Sequence, residues 1–371
     1  MRYRDYGQTG QISALGFGCM RLPEVEKDGK WTIDDEKAIP MLRRAAELGV
    51  NYFDTGYWYC HQNSEAAVGR ALKPIRDRVM ISTKLPMSWV SERDAYREGL
   101  ESSLKELDTS YIDYYHFWSL DKKCFDDKVI GLGLLEEARK AKDEGLIRHI
   151  SFSFHDDASS IKHIIDRGEI FETMLVQYNL LDRSNEEMIA YAASKGIGVA
   201  AMGPVGGGKL AAPTGLGGNL TGKAMPTYEL ALRFVMGNPN VSCALSGMRT
   251  MDDLEKNVAL ASGEAPITEE EWKKLGDGLE RLRRFSDLYC TGCAYCMPCP
   301  AGIDIPGIFN AYTHHNVYEL NEQARSMFAK QLEKGKTFKD CQDCGVCETK
   351  CPQHLAIRKE LERVEAVLGK L

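Results

Sequence analysis

Short apolar runs alternate with amphipathic stretches from residue 11 to about residue 263. Eight of the apolar runs have the length and residue content of buried strands, and a stretch with helical periodicity follows each of them. The predicted strands are 14–19, 50–53, 78–83, 111–117, 147–152, 173–177, 197–201 and 241–245. The predicted helices are 35–48, 62–73, 92–107, 130–144, 157–167, 184–195, 226–236 and 250–261. Eight strand–helix pairs predict an α/β fold, a (β/α)8 TIM barrel.

The first residues, with the sequence YRDYGQTGQIS, predict a small hairpin that closes the floor of this barrel. An open, doubly wound sheet is the alternative for such an alternation of strands and helices. That fold usually carries a G-x-G-x-x-G turn after its first strand, and none follows residues 14–19 here. The pattern therefore favours the barrel.

The chain of 371 residues is longer than a barrel of about 250 residues requires. We therefore predict a barrel domain over 1–265 and a second domain, mainly helical, over 266–371. In the second domain, the predicted helices are 269–286, a segment around 317–334 within the polar stretch 305–338, and 354–369.

The charge and hydropathy patterns exclude several classes of partner. The net charge is −7 and no basic block supplies phosphate contacts, so we expect no nucleic-acid partner. The sequence contains no run of about 18 apolar residues, so we predict no membrane span. The polar start MRYRDYGQTGQ lacks the apolar core of a signal peptide, so we expect a cytoplasmic protein.

Eight of the twelve cysteines lie in two short runs near the C-terminus. Cys290, Cys293, Cys296 and Cys299 have the spacing C-x2-C-x2-C-x2-C, and Cys341, Cys344, Cys347 and Cys351 have the spacing C-x2-C-x2-C-x3-C. Each run ends in Cys-Pro, which is typical of proteins that bind two [4Fe-4S] clusters. Two zinc sites of four thiolates each are the alternative, although zinc ribbons usually use two separated C-x2-C pairs.

Four ionisable or protic residues lie at or just after the predicted ends of barrel strands, where barrel enzymes place their reactive groups. They are Asp54, Tyr59, Lys84 and His116. A phenol is a weak acid at neutral pH, and a neighbouring ammonium lowers its pKa while a carboxylate keeps that ammonium charged. This set predicts proton transfer to a carbonyl group. A rim ion pair between Asp54 and Lys84 without catalysis is the simpler alternative.

The stretches FDTGYWY (53–59), ISTK (81–84), YYHF (114–117), IRHISFS (147–153), VQYN (176–179) and LSGM…DDLEKN (245–257) resemble the aldo-keto reductase family. The resemblance implies an NAD(P)-dependent oxidoreductase that transfers a hydride between the cofactor and an aldehyde, ketone or alcohol. It also implies that Tyr59 is the general acid, that Lys84 and Asp54 tune it, and that His116 orients the carbonyl.

The same resemblance assigns a set of cofactor contacts, with NADP favoured over NAD. The matching positions are Ser153, Gln177, Met202, Gly203, Gly206, Ser246, Gly247, Arg249 and Asn257. Two of the surrounding residues depart from the family. Phe154 replaces the Asn that usually follows the serine, and Met202 replaces the aromatic residue expected beside nicotinamide. Asp253 occupies a position that is often basic in NADP-specific members.

The C-terminal region resembles a bacterial two-cluster ferredoxin, and this fusion to a barrel is a subgroup of the family. The resemblance implies one cluster on Cys290, Cys293, Cys296 and Cys351 and another on Cys341, Cys344, Cys347 and Cys299. Nicotinamide transfers two electrons as a hydride, whereas a cubane accepts one at a time. An electron-transfer protein with a barrel-bound flavin or an external redox partner, or a sensor whose clusters gate the barrel, therefore stays open as an alternative.

The sequence predicts less about the substrate. We expect a small-molecule carbonyl compound, with Trp58, Trp89 and Trp118 as candidate walls of an apolar pocket. Several other residues carry simpler interpretations: Cys60 and His61 pack in a loop, Cys19, Cys124 and Cys243 are thiols without a role, His155 is structural or contacts substrate, and His314 and His315 are solvated.

Overall fold

The computed structural model describes residues 1–212, 216–263, 267–285, 290, 296–333, 336–351 and 355–371. Two compact units account for them: Met1–Gly207 with Ala231–Ile267, and Gly208–Leu230 with Thr268–Leu371. The segment Gly208–Leu230 falls within the predicted barrel range, but it clusters with the C-terminal unit. No helix in the described part of the chain has the length and apolar character needed to cross a membrane.

Twelve strands occur within the described residues. They are β1 (Tyr3–Asp5), β2 (Gln11–Ser13), β3 (Leu15–Gly18), β4 (Glu24–Lys27), β5 (Lys30–Ile33), β6 (Tyr52–Asp54), β7 (Met80–Leu85), β8 (Ile112–Leu120), β9 (Ile147–Phe154), β10 (Thr173–Gln177), β11 (Gly198–Met202) and β12 (Cys243–Ser246). Eight of them, β3 and β6 to β12, form a closed parallel barrel in chain order. The predicted (β/α)8 barrel is confirmed.

Helices separate the barrel strands, as the 3.6-residue periodicity predicts. In the first unit and in the segment Gly208–Leu230 they are α1 (Asp35–Glu47), α2 (Ser64–Leu72), α3 (Ala95–Glu106), α4 (Lys122–Cys124), α5 (Leu134–Asp143), α6 (Ser159–Gly168), α7 (Glu186–Ser194), α8 (Leu216–Thr221), α9 (Thr227–Gly237) and α10 (Met251–Ser262). The predicted helix 130–144 begins only at Leu134, because a π-helical turn over Phe125–Ile130 and the left-handed Gly133 precede it.

The hairpin β1–β2 covers the N-terminal ends of the barrel strands, as predicted. Tyr6, at its turn, is fully buried against the rings of Tyr52 and Tyr114, with centroids 5.7 and 5.0 Å away. Gly7 has a φ of +61°, and a Cβ there would lie 2.5 Å from the backbone nitrogen of Gly198. Only glycine fits such a close approach, so the hairpin closes the barrel floor through this turn.

A second hairpin, β4–β5, lies between the first barrel strand and helix α1. Its two central residues, Asp28 and Gly29, have φ values of +52° and +75°. An Asp-Gly pair with both residues left-handed is a turn that matches the twist of a hairpin. The sequence analysis predicted no strands between residues 19 and 35, although this dipeptide is a signal for the hairpin.

Strands β8 and β9 both continue beyond their predicted ends, and their pairing is irregular near the end of β8. The register shifts between Phe117 and Leu120, and Ser119 has a φ of +56°. The Ser119 amide donates to Ser153 Oγ at 2.7 Å, which holds the two strands together across the irregularity. Such bulges often redirect a side chain at the rim of a barrel.

The C-terminal unit is helical in its described residues. Its longer helices are α11 (Glu269–Phe285), α12 (Ile305–Asn316), α13 (Asn321–Glu333) and α15 (Ile357–Leu368), and the short α14 covers Val346–Thr349. The predicted helices at about 269–286, 317–334 and 354–369 correspond to α11, α13 and α15, whereas α12 was not predicted. The side chains of Ile305, Ile308, Phe309 and Tyr312 have helical spacing and are buried in the core of the unit.

Candidate active site

Three charged or titratable side chains lie side by side at the C-terminal end of the barrel. Asp54 ends β6, Lys84 lies near the end of β7, and His116 lies in the middle of β8. Register places Asp54 opposite Ser82 and Lys84 opposite His116. All three side chains are at most 2% exposed. The predicted residues are therefore brought together in a buried site.

Lys84 and Asp54 form a buried ion pair, with Nζ 2.7 Å from Oδ2. The other carboxylate oxygen of Asp54 accepts a hydrogen bond from Ser82 Oγ at 2.7 Å, and Lys84 Nζ also donates to the carbonyl oxygen of Thr55. Burial lowers the pKa of Lys84, but the Asp54 carboxylate and Tyr59 outweigh it, so this pKa lies above its usual value. The ammonium is therefore charged at neutral pH.

Tyr59 lies in the loop after β6, and its ring faces the same ammonium. Lys84 Nζ is 4.5 Å from the ring centroid, and the indole of Trp118 packs edge-on at 5.6 Å. Burial raises the pKa of Tyr59, while the charge and the hydrogen bond of Lys84 oppose the rise without cancelling it. The sequence predicted only the opposing effect of Lys84. The phenol consequently keeps its proton at neutral pH.

His116 is fully buried, yet neither of its ring nitrogens has a hydrogen-bond partner among the described residues. Its Nε2 lies 3.7 Å from Asp54 Oδ1, which is too far for a hydrogen bond. Burial and the charge of Lys84 hold the pKa of His116 well below its usual range, so the ring is neutral. Buried polar groups without a partner are rare and suit a ligand atom.

A cavity of about 480 Å³ is lined in part by Trp118, whose indole packs against Tyr59. Trp58, Met87 and Trp118 provide apolar lining, whereas Asp121, Lys123, Asp127 and Lys128 add a polar side that the sequence analysis did not anticipate. Trp89 is not part of the lining; it packs edge-on against Trp58 at 5.3 Å.

The predicted cofactor positions also lie at the C-terminal ends of strands. Ser153 is buried near the end of β9, and Gln177 and Met202 are paired at the ends of β10 and β11. Gly203 has a φ of +64°, and a Cβ there would lie 2.6 Å from Gln177 Oε1. Gly206 likewise has a positive φ of +57°. Both glycines allow a backbone course that other residues rarely adopt.

The remaining predicted positions lie around the end of β12 and the start of α10. Asn257 Nδ2 donates to the buried Ser246 Oγ at 3.3 Å. Arg249 is exposed, and its amide donates to the Asp253 carboxylate at 3.2 Å. Asp253 also completes a capping box with Thr250 at the start of α10. The acidic residue at this position therefore has a structural partner.

Arg21, just beyond β3, is a residue that the sequence analysis missed. Its Cδ lies 3.4 Å from where a Cβ of Gly247 would stand, and its Nη2 lies 3.5 Å from the corresponding point at Gly207. The Arg21 side chain thus lies between two glycine-containing loops that are distant in sequence, with its stem near Gly247 and its guanidinium near Gly207. No local motif indicates this contact.

Other residues that the sequence left without a role are engaged locally. Cys60 is buried, and its thiol donates to the carbonyl oxygens of Cys19 and Met20. His61 Nδ1 lies 2.6 Å from Glu24 Oε1, and its ring stacks on Trp31. These contacts agree with loop packing. His314, expected to be solvated, instead lies in α12 and bonds the Asn310 carbonyl.

In the C-terminal unit, four cysteines from both runs line one small cavity of about 20 Å³. They are Cys299, Cys341, Cys344 and Cys347, with Pro300, Ala301, Ile303, Ile305, Gln342, Gly345, Arg358 and Leu361. Cys296 is buried in the adjoining core, where Cys290 and Cys351 pack against it. Cys293 lies outside the described residues. Four thiols around a largely apolar cavity match the ligand set of a [4Fe-4S] cluster.

Within the described residues, no three Cys, His, Asp or Glu side chains converge closely enough to hold one metal ion. A mononuclear zinc site draws four ligands to a single ion, at about 2.3 Å for each sulfur. A cubane instead distributes its thiolates over several iron atoms, which places the sulfurs further apart.

Comparison with known proteins assigns the first unit to a family. Residues 14–223 match the sequence model of the Aldo/keto reductase family, which spans more than half of the chain. The chain belongs to the aldo/keto reductase family. Residues 289–356 match the 4Fe-4S dicluster domain, so this aldo/keto reductase carries an iron–sulfur domain behind its barrel.

Relatives and solved structures agree with this assignment. An uncharacterized oxidoreductase of Schizosaccharomyces pombe is 31% identical over 263 residues, covering 67% of this chain and 82% of that protein. An uncharacterized oxidoreductase of Bacillus subtilis is 29% identical over 309 residues, covering 74% and 95%. The structure of an aldo-keto reductase from Bacillus halodurans, in its holo form, matches with a TM-score of 0.65 at 27% identity, covering 75% and 96%. The aldo/keto reductase barrel of this chain is thus an oxidoreductase domain.

Proposed function

We propose that the chain reduces an aldehyde or ketone with a hydride from NAD(P)H, or oxidises the corresponding alcohol, and that Tyr59 is its general acid and base. The observation that carries the proposal is the position of Lys84 Nζ, 2.7 Å from the Asp54 carboxylate and 4.5 Å from the centre of the Tyr59 ring. This arrangement gives the phenol a charged neighbour that is itself fixed by a buried partner.

The role of Lys84 follows from electrostatics. When Tyr59 gives its proton to the carbonyl oxygen, a phenolate forms in a buried site, where burial alone opposes it. A unit charge about 4 Å away is worth about 4 kcal/mol at an effective dielectric constant of 20. That energy corresponds to about 3 pKa units, enough to offset much of the cost of burial. Asp54 keeps Lys84 charged and in place throughout.

His116 suits a different task. A neutral imidazole with no hydrogen-bond partner among the described residues has an N–H to offer a substrate oxygen. Because burial and Lys84 keep it neutral, His116 orients the carbonyl without competing with Tyr59 for the proton. The carbonyl oxygen is then held between the phenol of Tyr59 and the imidazole of His116.

The cofactor residues support a nicotinamide dinucleotide along the same rim. NAD(P)H, when bound, supplies the hydride that reaches the carbonyl carbon. In this proposal Ser153 and Gln177 hold the carboxamide, and Met202 lies beside the nicotinamide ring. Gly203 and Gly206 offer backbone N–H groups to the pyrophosphate. Towards the adenosine the contacts are Ser246, Gly247, Arg249 and Asn257, and we add Arg21 as a cation for the phosphates.

The cavity between Trp58 and Trp118 supports a substrate with an apolar body. Indole walls bury a ring or an aliphatic chain, while Lys128 and Asp121, which also line the cavity, suit a polar substituent. We therefore expect a small carbonyl compound that is apolar near the reacting carbon and carries a polar group further away.

For the iron–sulfur domain, we propose one [4Fe-4S] cluster on Cys299, Cys341, Cys344 and Cys347. The shared cavity of these four cysteines supports the assignment. We propose a second cluster on Cys290, Cys293, Cys296 and Cys351.

The exposure of Cys344 supports a second candidate function, in which the clusters pass electrons to an external carrier or through a flavin bound in the barrel. An exposed ligand brings a cluster near solvent, where a redox partner reaches it. Oxidation of NADPH by a test aldehyde, with no carrier present, discriminates the two candidates. Carrier-dependent turnover alone would favour the second.

The catalytic proposal is tested by Tyr59→Phe, measured as NADPH oxidation with an aromatic aldehyde under anaerobic conditions. Loss of a general acid predicts a fall in kcat of about 10²- to 10⁴-fold, with cofactor binding retained by fluorescence titration. Tyr111→Phe is the matched control, because it removes a hydroxyl beside the N-terminal end of β8, away from the strand ends that carry the site. Full activity in Tyr59→Phe would reject the assignment.

A further inference from the structure

Arg358, at the start of helix α15, joins this helix to the second cysteine run. Its Nη1 donates to Asp343 Oδ1 at 2.6 Å and its Nη2 donates to Glu348 Oε2 at 2.8 Å. The Arg358 amide also donates to Glu348 Oε1 at 3.0 Å. Asp343 directly precedes Cys344 and Glu348 directly follows Cys347, so both carboxylates belong to the segment that carries the thiols.

The same guanidinium forms part of the wall of the cavity that Cys299, Cys341, Cys344 and Cys347 share. Gly345, between two of these cysteines, has a φ of +72°, and a Cβ there would lie 3.8 Å from Arg358 Cζ. The guanidinium therefore packs over the backbone of the turn that presents the thiols.

One nitrogen of Arg358 is left unused. Both Nη atoms bond carboxylates, but Nε is buried and has no hydrogen-bond partner among the described residues. A buried donor without an acceptor loses its hydrogen bonds to water without replacement, so such donors are rarely retained without a partner. Since Arg358 lines the cysteine cavity, an acceptor placed in that cavity would satisfy its Nε–H.

We propose that Arg358 Nε donates an N–H···S hydrogen bond to the [4Fe-4S] cluster held by Cys299, Cys341, Cys344 and Cys347, and thereby raises the reduction potential of that cluster. The inference rests on the cluster assignment proposed above. Reduction adds one negative charge to the cluster, so a cation and a hydrogen-bond donor at its sulfur stabilise the reduced form more than the oxidised form. Arg358 is a tuning residue and not a cluster ligand.

The test is an anaerobic redox titration of the full-length protein followed by electron paramagnetic resonance. Arg358→Lys keeps the positive charge beside Asp343 and Glu348 but removes the Nε–H. We expect it to lower the equilibrium constant for one-electron reduction of one cluster about tenfold, equivalent to about 59 mV, and to leave the other cluster unchanged. Arg358→Ala should lower it further, because the charge is also lost.

Arg363→Ala is the matched control on the same helix. Its guanidinium lies 5.0 Å from the centre of the Tyr312 ring and bonds Glu360, and it is not part of the cavity wall. This variant should keep both potentials. A second readout is the iron–sulfur stretching frequencies in D₂O, where the wild type should show a shift that Arg358→Lys lacks.

The outcomes separate the two proposals. Wild-type protein without a [4Fe-4S] spectrum would reject the cluster assignment itself. Intact clusters with unchanged potentials and an unchanged D₂O shift in Arg358→Lys would reject only the role of Arg358. Loss of half of the iron in Arg358→Lys would also overturn it, since the residue would then be a structural brace.

Discussion

The buried ion pair between Lys84 and Asp54 offers the sharpest test of how this site is built. We consider Lys84→Met, which keeps a long side chain of similar shape but removes the charge. The two partners are 1% and 2% exposed, so the Asp54 carboxylate would be left without a cation in a place that water does not reach. The hydrogen bond from Ser82 Oγ to the Asp54 carboxylate would remain.

We expect Lys84→Met to lower the free energy of unfolding substantially. Removing one partner of a buried pair destabilises a protein by about 3 to 5 kcal/mol, because the remaining charge is uncompensated. Lys84 also donates to the Thr55 carbonyl, which loses its partner in the same variant. The exposed pair of Lys73 and Asp108 provides a matched control, since its side chains are 62% and 66% exposed. Lys73→Met should cost about 0 to 1 kcal/mol.

The assay is anaerobic urea unfolding followed by tryptophan fluorescence. Four of the five tryptophans, Trp31, Trp58, Trp89 and Trp118, belong to the barrel unit, so the signal reports mainly on its unfolding. The double variant Asp54→Asn with Lys84→Met should recover part of the loss, because no uncompensated charge remains. Equal destabilisation by Lys84→Met and Lys73→Met would refute the reasoning.

Two further predictions concern other parts of the fold. Burial opposes ionisation of Glu172, but the hydrogen bond from His149 and other partners lower its pKa from 4.5 to about 2. The folding stability that the Glu172 carboxylate contributes is therefore fully present above pH 4.5 and is lost as the pH falls towards 2. In urea titrations, the difference in unfolding free energy between wild type and Glu172→Gln should shrink as the pH falls from 4.5 towards 2. A difference that stays constant over this pH range would contradict the prediction. Gly69→Ala should lower Tm, because a Cβ would collide with the Leu107 carbonyl and overpacking costs about 1 to 3 kcal/mol. Gly276→Ala, where no described heavy atom lies within 4 Å, should instead raise Tm through a gain of about 1 kcal/mol in helix propensity.

The barrel was predictable because periodicity is a local property. The spacing of apolar residues predicts each strand and each helix separately, and eight strand–helix pairs in succession predict a barrel. Two features that were not predicted, the hairpin β4–β5 and helix α12, nevertheless have local signals in the sequence. The Asp28–Gly29 turn indicates β4–β5, and the helical spacing of Ile305, Ile308 and Phe309, after Asp304 as an N-cap, indicates α12.

The candidate site was only partly predictable. Strand ends converge in any barrel, so Asp54, Lys84 and His116 could be brought together from the sequence alone. The position of Arg21 between two distant glycines depends on loop conformations that no local pattern encodes. The pKa direction of Tyr59 depends on the balance between burial and Lys84, and burial is a property of the assembled structure.

The cavity shared by Cys299 and the second cysteine run has a consequence for how the protein matures. Cys299 belongs to the first run and is synthesised before Cys341, Cys344 and Cys347. The four thiols around this cavity are therefore all present only once the chain has been synthesised past Cys347. A [4Fe-4S] cluster on these four cysteines, as proposed above, would therefore form only after Cys347 has been translated. Such a cluster would link two segments that are distant in sequence, so that loading of the cluster and folding of this unit would be coupled.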